Sequence, residues 1–83
     1  MLQLASEFDQ TTRIDLFLAG HLAYDPQTGA SLHRGRGQRK VGRPQRYVLV
    51  LPSRGGREHI MAHTDGEAVE KGRARLAAMR HLE

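Results

Sequence analysis

Eight basic side chains in one short stretch are the clearest chemical signal of this sequence. They lie between residues 33 and 57, a stretch that contains no aspartate or glutamate. A block of like charge attracts a polyanion, and nucleic acid is the polyanion that arginine-rich segments bind. A well-solvated loop is the competing interpretation, but the absence of an interspersed acid favours nucleic acid. The predicted binding residues are Arg34, Arg36, Arg39, Lys40, Arg43, Arg46, Arg54 and Arg57.

The expected mechanism is electrostatic docking on the phosphate backbone, which positions a protein without specifying a base sequence. Base readout would fall to Arg54 and Arg57 in the major groove or to Arg43 in the minor groove, because extended arginines can pair with base edges. The sequence does not select between these two. With two Phe, two Tyr and no Trp, the chain offers no evident stacking platform for single strands. The predicted partner is therefore duplex DNA rather than RNA.

Two short motifs inside the basic stretch resemble nucleic-acid-binding sequences. Residues 41–46, Val-Gly-Arg-Pro-Gln-Arg, are similar to the AT-hook, whose Gly-Arg-Pro core lays arginines into the narrow minor groove of A·T-rich DNA. Val41 stands where that motif has arginine, so a generic basic loop is favoured. Residues 53–58 are similar to an arginine-glycine-glycine box, but a hairpin turn that exposes two arginines explains them better.

The histidines raise the question of a metal site. His59 and His63 would share a face on a strand or on a helix. Two imidazoles are too few, because structural zinc takes four protein ligands and catalytic zinc three. The spacing does not require any of the candidate third ligands, so no metal is predicted. Those candidates are His33, Asp65 and His81.

Nothing in the sequence predicts an enzyme. There is no cysteine, and Ser6, Ser31 and Ser53 lack the glycine context of a nucleophile elbow. The glycines of the basic stretch lie in a polar segment without the lysine pattern of a phosphate loop. We therefore expect a binding protein with no cofactor.

Length and composition predict one small domain over residues 1–83. An apolar fraction of 39% in so short a chain builds only a thin core. The lack of cysteine suits a reducing cytoplasm, and no apolar run approaches the roughly 20 residues of a membrane span. The beginning of the chain lacks a signal-peptide pattern, so a cytoplasmic location is expected. Eleven arginines against two lysines fit a GC-rich bacterial or phage gene.

Periodicity in the sequence predicts the helices and strands that carry the basic residues. Residues 12–24 fit both a helix and a strand, and the spacing Thr12-x-x-Asp15 narrowly favours a helix because it resembles a capping box. Residues 25–29 predict a turn, and residues 33–46 a basic flexible loop. The helical stripe would comprise Ile14, Phe17, Leu18 and Leu22.

Residues 47–63 predict a β-hairpin and residues 65–82 a helix. Gly55-Gly56 is a favoured two-residue turn, and Thr64-x-x-Glu67 is a capping box. The helix should pack on the hairpin, with Gly72 permitting close approach. The expected fold class is α+β, an antiparallel sheet against a C-terminal helix. The predicted buried face of that helix comprises Ala68, Val69, Gly72, Leu76, Met79 and Leu82.

Two family resemblances agree with this interpretation. Residues 47–80 resemble in layout the small N-terminal DNA-binding domains of phage-type integrases, which implies a three-stranded sheet that lies against one helix and enters the major groove. Residues 22–63 resemble the leading part of phage HNH endonucleases. This chain contains no asparagine, which those nucleases need, so nuclease activity is not implied. The residues that match the nucleases are Tyr24, Asp25, Pro26, Thr28, Gly29, Ala62 and His63.

The sequence thus predicts a small DNA-binding protein, and the alternative is a protein-binding regulator or inhibitor of a host complex. Apolar exposure discriminates between the two, because a protein binder should present large apolar side chains outside its core. The unpaired edge of the hairpin also predicts that a second copy can pair there to form a homodimer. A protein binder is expected to expose some of the side chains of Phe8, Phe17, Leu49 and Met79.

Overall fold

The computed structural model describes residues 1–37, 41–52 and 55–80 and confirms the α+β class. Two helices, α1 (Gln10–Leu18) and α2 (Asp65–Arg80), accompany a five-stranded antiparallel sheet in this part of the chain. A short 3-10 turn at Ala5–Glu7 precedes α1. The strands are β1 (Gln3–Leu4), β2 (Ala23–Tyr24), β3 (Ser31–Arg34), β4 (Gln45–Leu51) and β5 (Gly56–Ala62).

The sheet is a meander in which each strand pairs with the next one along the chain. Alternation along β4 and β5 gives it one apolar face, because successive side chains of a strand point to opposite sides. Tyr47 lies opposite Ile60, and Leu49 lies between Leu32 and Glu58. Helix α2 covers this face. The buried core comprises Leu2, Ala23, Ala30, Leu32, Tyr47, Leu49, Leu51, Ile60, Ala62, Ala68 and Val69.

Helix α2 follows the predicted pattern. Thr64 caps it, because the Thr64 hydroxyl accepts a hydrogen bond from the Glu67 N–H at 3.1 Å, while the Glu67 carboxylate accepts from the His63 N–H at 3.2 Å. Gly72 is buried, and a Cβ there would lie 2.6 Å from Cδ2 of Leu2. The absence of a side chain therefore permits a close approach, but to Leu2, just before β1, rather than to the predicted hairpin, whose nearest atoms, Cδ1 of Ile60 and Cδ1 of Leu49, would lie 3.9 Å from that Cβ. Leu82 lies outside the described residues.

Residues 12–24 contain both of the competing elements. Helix α1 begins at Gln10 behind Asp9, whose carboxylate accepts from the Thr12 N–H, so the predicted cap at Thr12 is wrong. The helix ends at Leu18, and the chain then turns through Gly20 (φ +76°) towards β2. Because the helix stops there, the fourth member of the expected stripe, Leu22, belongs to the approach to β2 instead.

The predicted basic loop is shorter than residues 33–46. His33 and Arg34 complete β3, and Gln45 and Arg46 begin β4, so residues 35–44 connect the two strands. Residues 38–40 of this connection lie outside the described part of the chain. The sequence Ser-Leu-His-Arg of β3 contains a single apolar residue. Hydrophobic alternation therefore does not predict this strand.

The turns agree in part with the sequence. Residues 25–29 form the predicted turn, in which the Gly29 N–H donates to the Asp25 carbonyl at 2.8 Å. The predicted hairpin turn is misplaced, because Gly56 pairs with Leu51 inside the ladder and residues 52–55 make the connection. Gly55 supplies the positive φ (+63°) that this connection needs.

Candidate nucleic-acid interface

The face of β3, β4 and β5 that α2 leaves open is the candidate interface. It alternates with the core face, so its residues are the polar half of each strand pattern together with Val48 and Val50 of β4 and Met61 of β5. The pairing brings these residues into three rows across the strands. The rows are His33–Val48–His59, Ser31–Val50–Arg57 and Arg46–Met61.

A depression of about 360 Å³ lies on this open face. Val48 and Val50 are only partly buried there and have basic side chains around them. None of the described residues that line the depression is acidic. Within the described part of the chain, Arg36, Arg46 and Arg57 form no ion pair, so their charge is available to a ligand. The lining consists of His33, Arg34, Gly35, Arg36, Arg46, Val48, Val50, Arg57 and His59.

Sheet geometry sets the spacing of the charges. Adjacent rows lie about 7 Å apart, twice the rise of about 3.4 Å per residue, and neighbouring strands lie about 4.8 Å apart. Arg46 lies two rows from Arg57, which separates their Cα atoms by roughly 14 Å along the strands.

Gly35 holds the beginning of the loop against β4. Its N–H donates to the Arg46 carbonyl at 2.8 Å, and a Cβ at this position would lie 2.7 Å from the same carbonyl oxygen. Any side chain would therefore collide with backbone. This close approach places Arg36 beside Arg46 and brings a loop arginine to the open face.

Four of the eight predicted binding residues line the depression: Arg34, Arg36, Arg46 and Arg57. Arg43 is exposed in the connection but does not line the depression. The guanidinium of Arg34 is already bound to the carboxylate of Asp65. Outside the described residues lie Arg39, Lys40 and Arg54.

Arg34 takes part in a polar network at the start of α2. Its Nη2 donates to Oδ2 of Asp65 at 2.6 Å, and the hydroxyl of the fully buried Tyr47 donates to Oδ1 of Asp65 at 2.8 Å. The hydrogen bond that Arg34 donates to Asp65, followed by the charge of that carboxylate, raises the pKa of Arg34. This carboxylate therefore fastens the first turn of α2 to β3 and β4.

His33 is fixed on the open face in its neutral form. A carbonyl can only accept, so Nδ1 carries the proton and donates to the Gly20 oxygen at 3.1 Å, while Nε2 lies 2.9 Å from the hydroxyl of Ser31. Burial lowers the pKa of His33, and the neighbouring His21 and Arg57 lower it further, against the Gly20 carbonyl, which raises it. The neutral ring is thus the form that the fold stabilises.

This lowered pKa predicts acid sensitivity. A histidine with a reduced pKa in the folded state binds fewer protons there than in the unfolded state, so stability falls as the pH drops below about 6.5 towards the lower folded pKa. Urea unfolding between pH 8 and pH 5 should show this loss, and His33→Gln should flatten the profile. A wild-type slope in His33→Gln would contradict the prediction.

Sequence reasoning assigned no binding role to His33 or His59, which lie in one row on the basic face. The signal that would have found them is the pairing of β3 with β4, and β3 was not predicted. His63 lies beyond the end of β5, 3.6 Å from the Glu67 carboxylate, so it does not share a strand face with His59. Among the residues that the structure describes, no three His, Cys, Asp or Glu side chains form a metal-binding group.

Comparison of the chain with protein-family models, curated proteins and solved structures found no match. Neither of the described helices is long and apolar enough to cross a membrane. Any functional inference therefore depends on the geometry and charge of the chain itself.

Proposed function

We propose that this chain binds duplex DNA by docking the basic open face of its sheet on the phosphate backbone. The observation that carries the proposal is the convergence of Arg36, Arg46 and Arg57 on one depression that no described acid lines. Guanidinium groups bond phosphate oxygens in a charge-assisted, often bidentate geometry. Strands β4 and β5 hold two of these arginines on a paired ladder, so little order has to be gained on binding.

The aromatic side chains favour duplex DNA over single strands. Tyr47 is fully buried, and Tyr24 packs against Phe8 and His21 with ring centroids 6.3 and 6.2 Å away. Val48 and Val50 line the depression, which contains no Phe, Tyr or Trp ring for bases to stack on. Phosphate contacts would therefore supply the affinity. Base readout by Arg57 in the major groove or by Arg43 in the minor groove belongs to the same proposal.

Titration of a mixed-sequence duplex at several salt concentrations tests the proposal. Each phosphate contact contributes about 0.9 to the slope of log K against log salt, so we expect a wild-type slope of about −4 to −7 by fluorescence anisotropy. Replacing Arg36, Arg46 and Arg57 together by glutamine should make the slope shallower by about 3.

A second triple variant distinguishes binding at the basic face from a general effect of the net charge of the protein. Arg13, Lys71 and Arg75 lie away from the depression, and their joint replacement by glutamine removes the same charge. This control should keep a slope close to that of the wild type, with circular dichroism confirming that both triple variants fold. Equal slopes in the two variants, or no binding at low salt, would exclude the basic face as a DNA-binding surface.

A second candidate function, protein binding, is favoured by one observation. Four large apolar side chains were expected to distinguish a protein binder from a DNA binder by their exposure. Leu49 is buried, Phe8 and Met79 are half-buried, and Phe17 is 78% exposed. Phe17 belongs to α1 and does not line the basic depression. A protein-binding surface on α1 would therefore leave the basic face free for DNA, and the two functions are compatible.

A further inference from the structure

Helix α1 directs its more apolar face towards solvent. Leu16 is 7% exposed, whereas Phe17 and Leu18 are 78% and 76% exposed and Ile14 is about half exposed. At 100° per residue, Ile14, Phe17 and Leu18 fall on one stripe that points away from Leu16. A contiguous stripe of large apolar side chains in water marks an interaction surface. The stripe predicted from the sequence is thus real, but it does not face the core.

A groove of about 620 Å³ runs beside this stripe. Leu4, Ala5 and Leu22 contribute apolar surface to it, and Phe17 and Arg13 form its rim on the side of α1. Arg34 and Asp65 line its other end, where they already bond each other. Three exposed side chains alone cannot supply the roughly 800 Å² per partner of a stable interface, so the occupant of the stripe should also fill this groove.

The charges on either side of the stripe are complementary to each other. On the helical projection, Arg13 lies on the side of Phe17 and the groove, and Asp15 lies on the opposite side, next to Leu18. When two copies of α1 lie side by side in the same direction about a two-fold axis, the Arg13 side of each copy meets the Asp15 side of the other. An antiparallel arrangement would instead bring like charges together.

We propose that this chain forms a homodimer through α1. Two copies lie about a two-fold axis parallel to the helix, so that Leu18 of each copy enters the groove of the other and Asp15 of each pairs with Arg13 of the other. The interface is isologous, as most homodimer interfaces are. It uses none of the described residues that line the basic depression apart from Arg34 at the far end of the groove, and it does not depend on the DNA-binding proposal.

The edge of the sheet is a poorer place for a second copy. The carbonyl of Met61 in edge strand β5 accepts a hydrogen bond from Nζ of Lys71 at 2.6 Å. A lysine that occupies an edge carbonyl blocks strand addition there. The homodimer predicted from the hairpin edge is therefore replaced in this proposal by one through α1.

Sedimentation equilibrium without DNA tests the dimer. From about 1 µM to about 1 mM, a range that spans the Kd of weak and moderate dimers, the wild type should pass from monomer to dimer. Leu18→Ser should raise the dimer Kd about thirtyfold or more, because one substitution removes two symmetry-related contacts. Val41→Ser, which removes an exposed apolar side chain far from α1 in the chain, should leave the Kd unchanged.

Charge reversal tests the orientation of the two copies. Asp15→Arg and Arg13→Asp should each weaken the dimer, and the double variant should restore it, since the pair is then reversed across the interface. Arg13 and Asp15 are both exposed, so the variants should keep the thermal unfolding of the monomer. A wild type that stays monomeric at every concentration, or a double variant that is no better than the singles, would overturn the proposal.

Discussion

Replacing Asp65 by alanine is expected to destabilise the fold by about 2–3 kcal/mol, because one carboxylate serves two elements of the sheet. The hydroxyl of Tyr47 is fully buried and would lose the acceptor that lies 2.8 Å away. Loss of a hydrogen-bond acceptor by a buried hydroxyl costs about 1–3 kcal/mol. The ion pair with Arg34 adds less, since the Arg34 side chain is more than half exposed and water screens it.

Urea unfolding of three variants separates the two contributions. Asp65→Asn keeps an acceptor for Tyr47 and loses the ion pair, so its cost should be well below that of Asp65→Ala. Glu70→Ala removes an exposed carboxylate from the same helix and should change stability by less than about 0.5 kcal/mol. If Asp65→Ala were as stable as Glu70→Ala, the network would not fasten α2 to the sheet.

In the hairpin, the sequence pattern places side chains on the correct face of the sheet but predicts the wrong pairing between residues of β4 and β5. A turn at Gly55-Gly56 would place Leu51 opposite Ile60, whereas the structure places Leu51 opposite Gly56, a shift of four residues. Side chains alternate with a period of two, so an even shift keeps every residue on its face. The face of β5 that carries Ile60 and Ala62 is buried, as alternation along the strand allows, while the rows of the open face could not be derived from the predicted turn.

The strand β3, which carries part of the basic face, could not be predicted from the sequence. Its residues are mostly polar, and they become a strand because β4 offers an unpaired edge to them. That pairing is a tertiary effect, which local propensity does not encode. Without β3, residues 33–46 are predicted to be one loop. It could therefore not be foreseen that Arg34 and Arg46 lie on opposite faces of two paired strands, or that His33 lies on the open face.

The orientation of α1 was beyond the sequence for a different reason. Periodicity identifies an apolar stripe but does not say whether the same chain or another molecule covers it. In this fold the stripe lies opposite Leu16, the side chain that α1 buries. The helix was thus predictable and its direction was not, because a dimer interface and a core carry the same hydrophobic signal.

Gly35→Ala should damage both the fold and the proposed DNA-binding face. The new Cβ would lie 2.7 Å from the Arg46 carbonyl oxygen, a backbone atom that can move only by opening the end of the β3–β4 ladder. We expect a loss of about 1–3 kcal/mol in the free energy of unfolding, the range of overpacking at a tight site. DNA affinity should fall as well, because Arg36 would no longer be held beside Arg46.

Hydrogen exchange and a matched glycine distinguish this effect from a general loss of stability. The Gly35 N–H donates to the Arg46 carbonyl at 2.8 Å, and this bond must lengthen in the variant, so local amide exchange should accelerate at the end of β3 before it does in α2. Gly66→Ala is the control. No atom lies within 4 Å of the Cβ position of Gly66, and alanine favours a helix, so this variant should gain about 0.5–1 kcal/mol and bind DNA as the wild type does. Wild-type stability and affinity in Gly35→Ala would show that the loop is not held against β4, and Arg36 would then have no fixed place on the basic face.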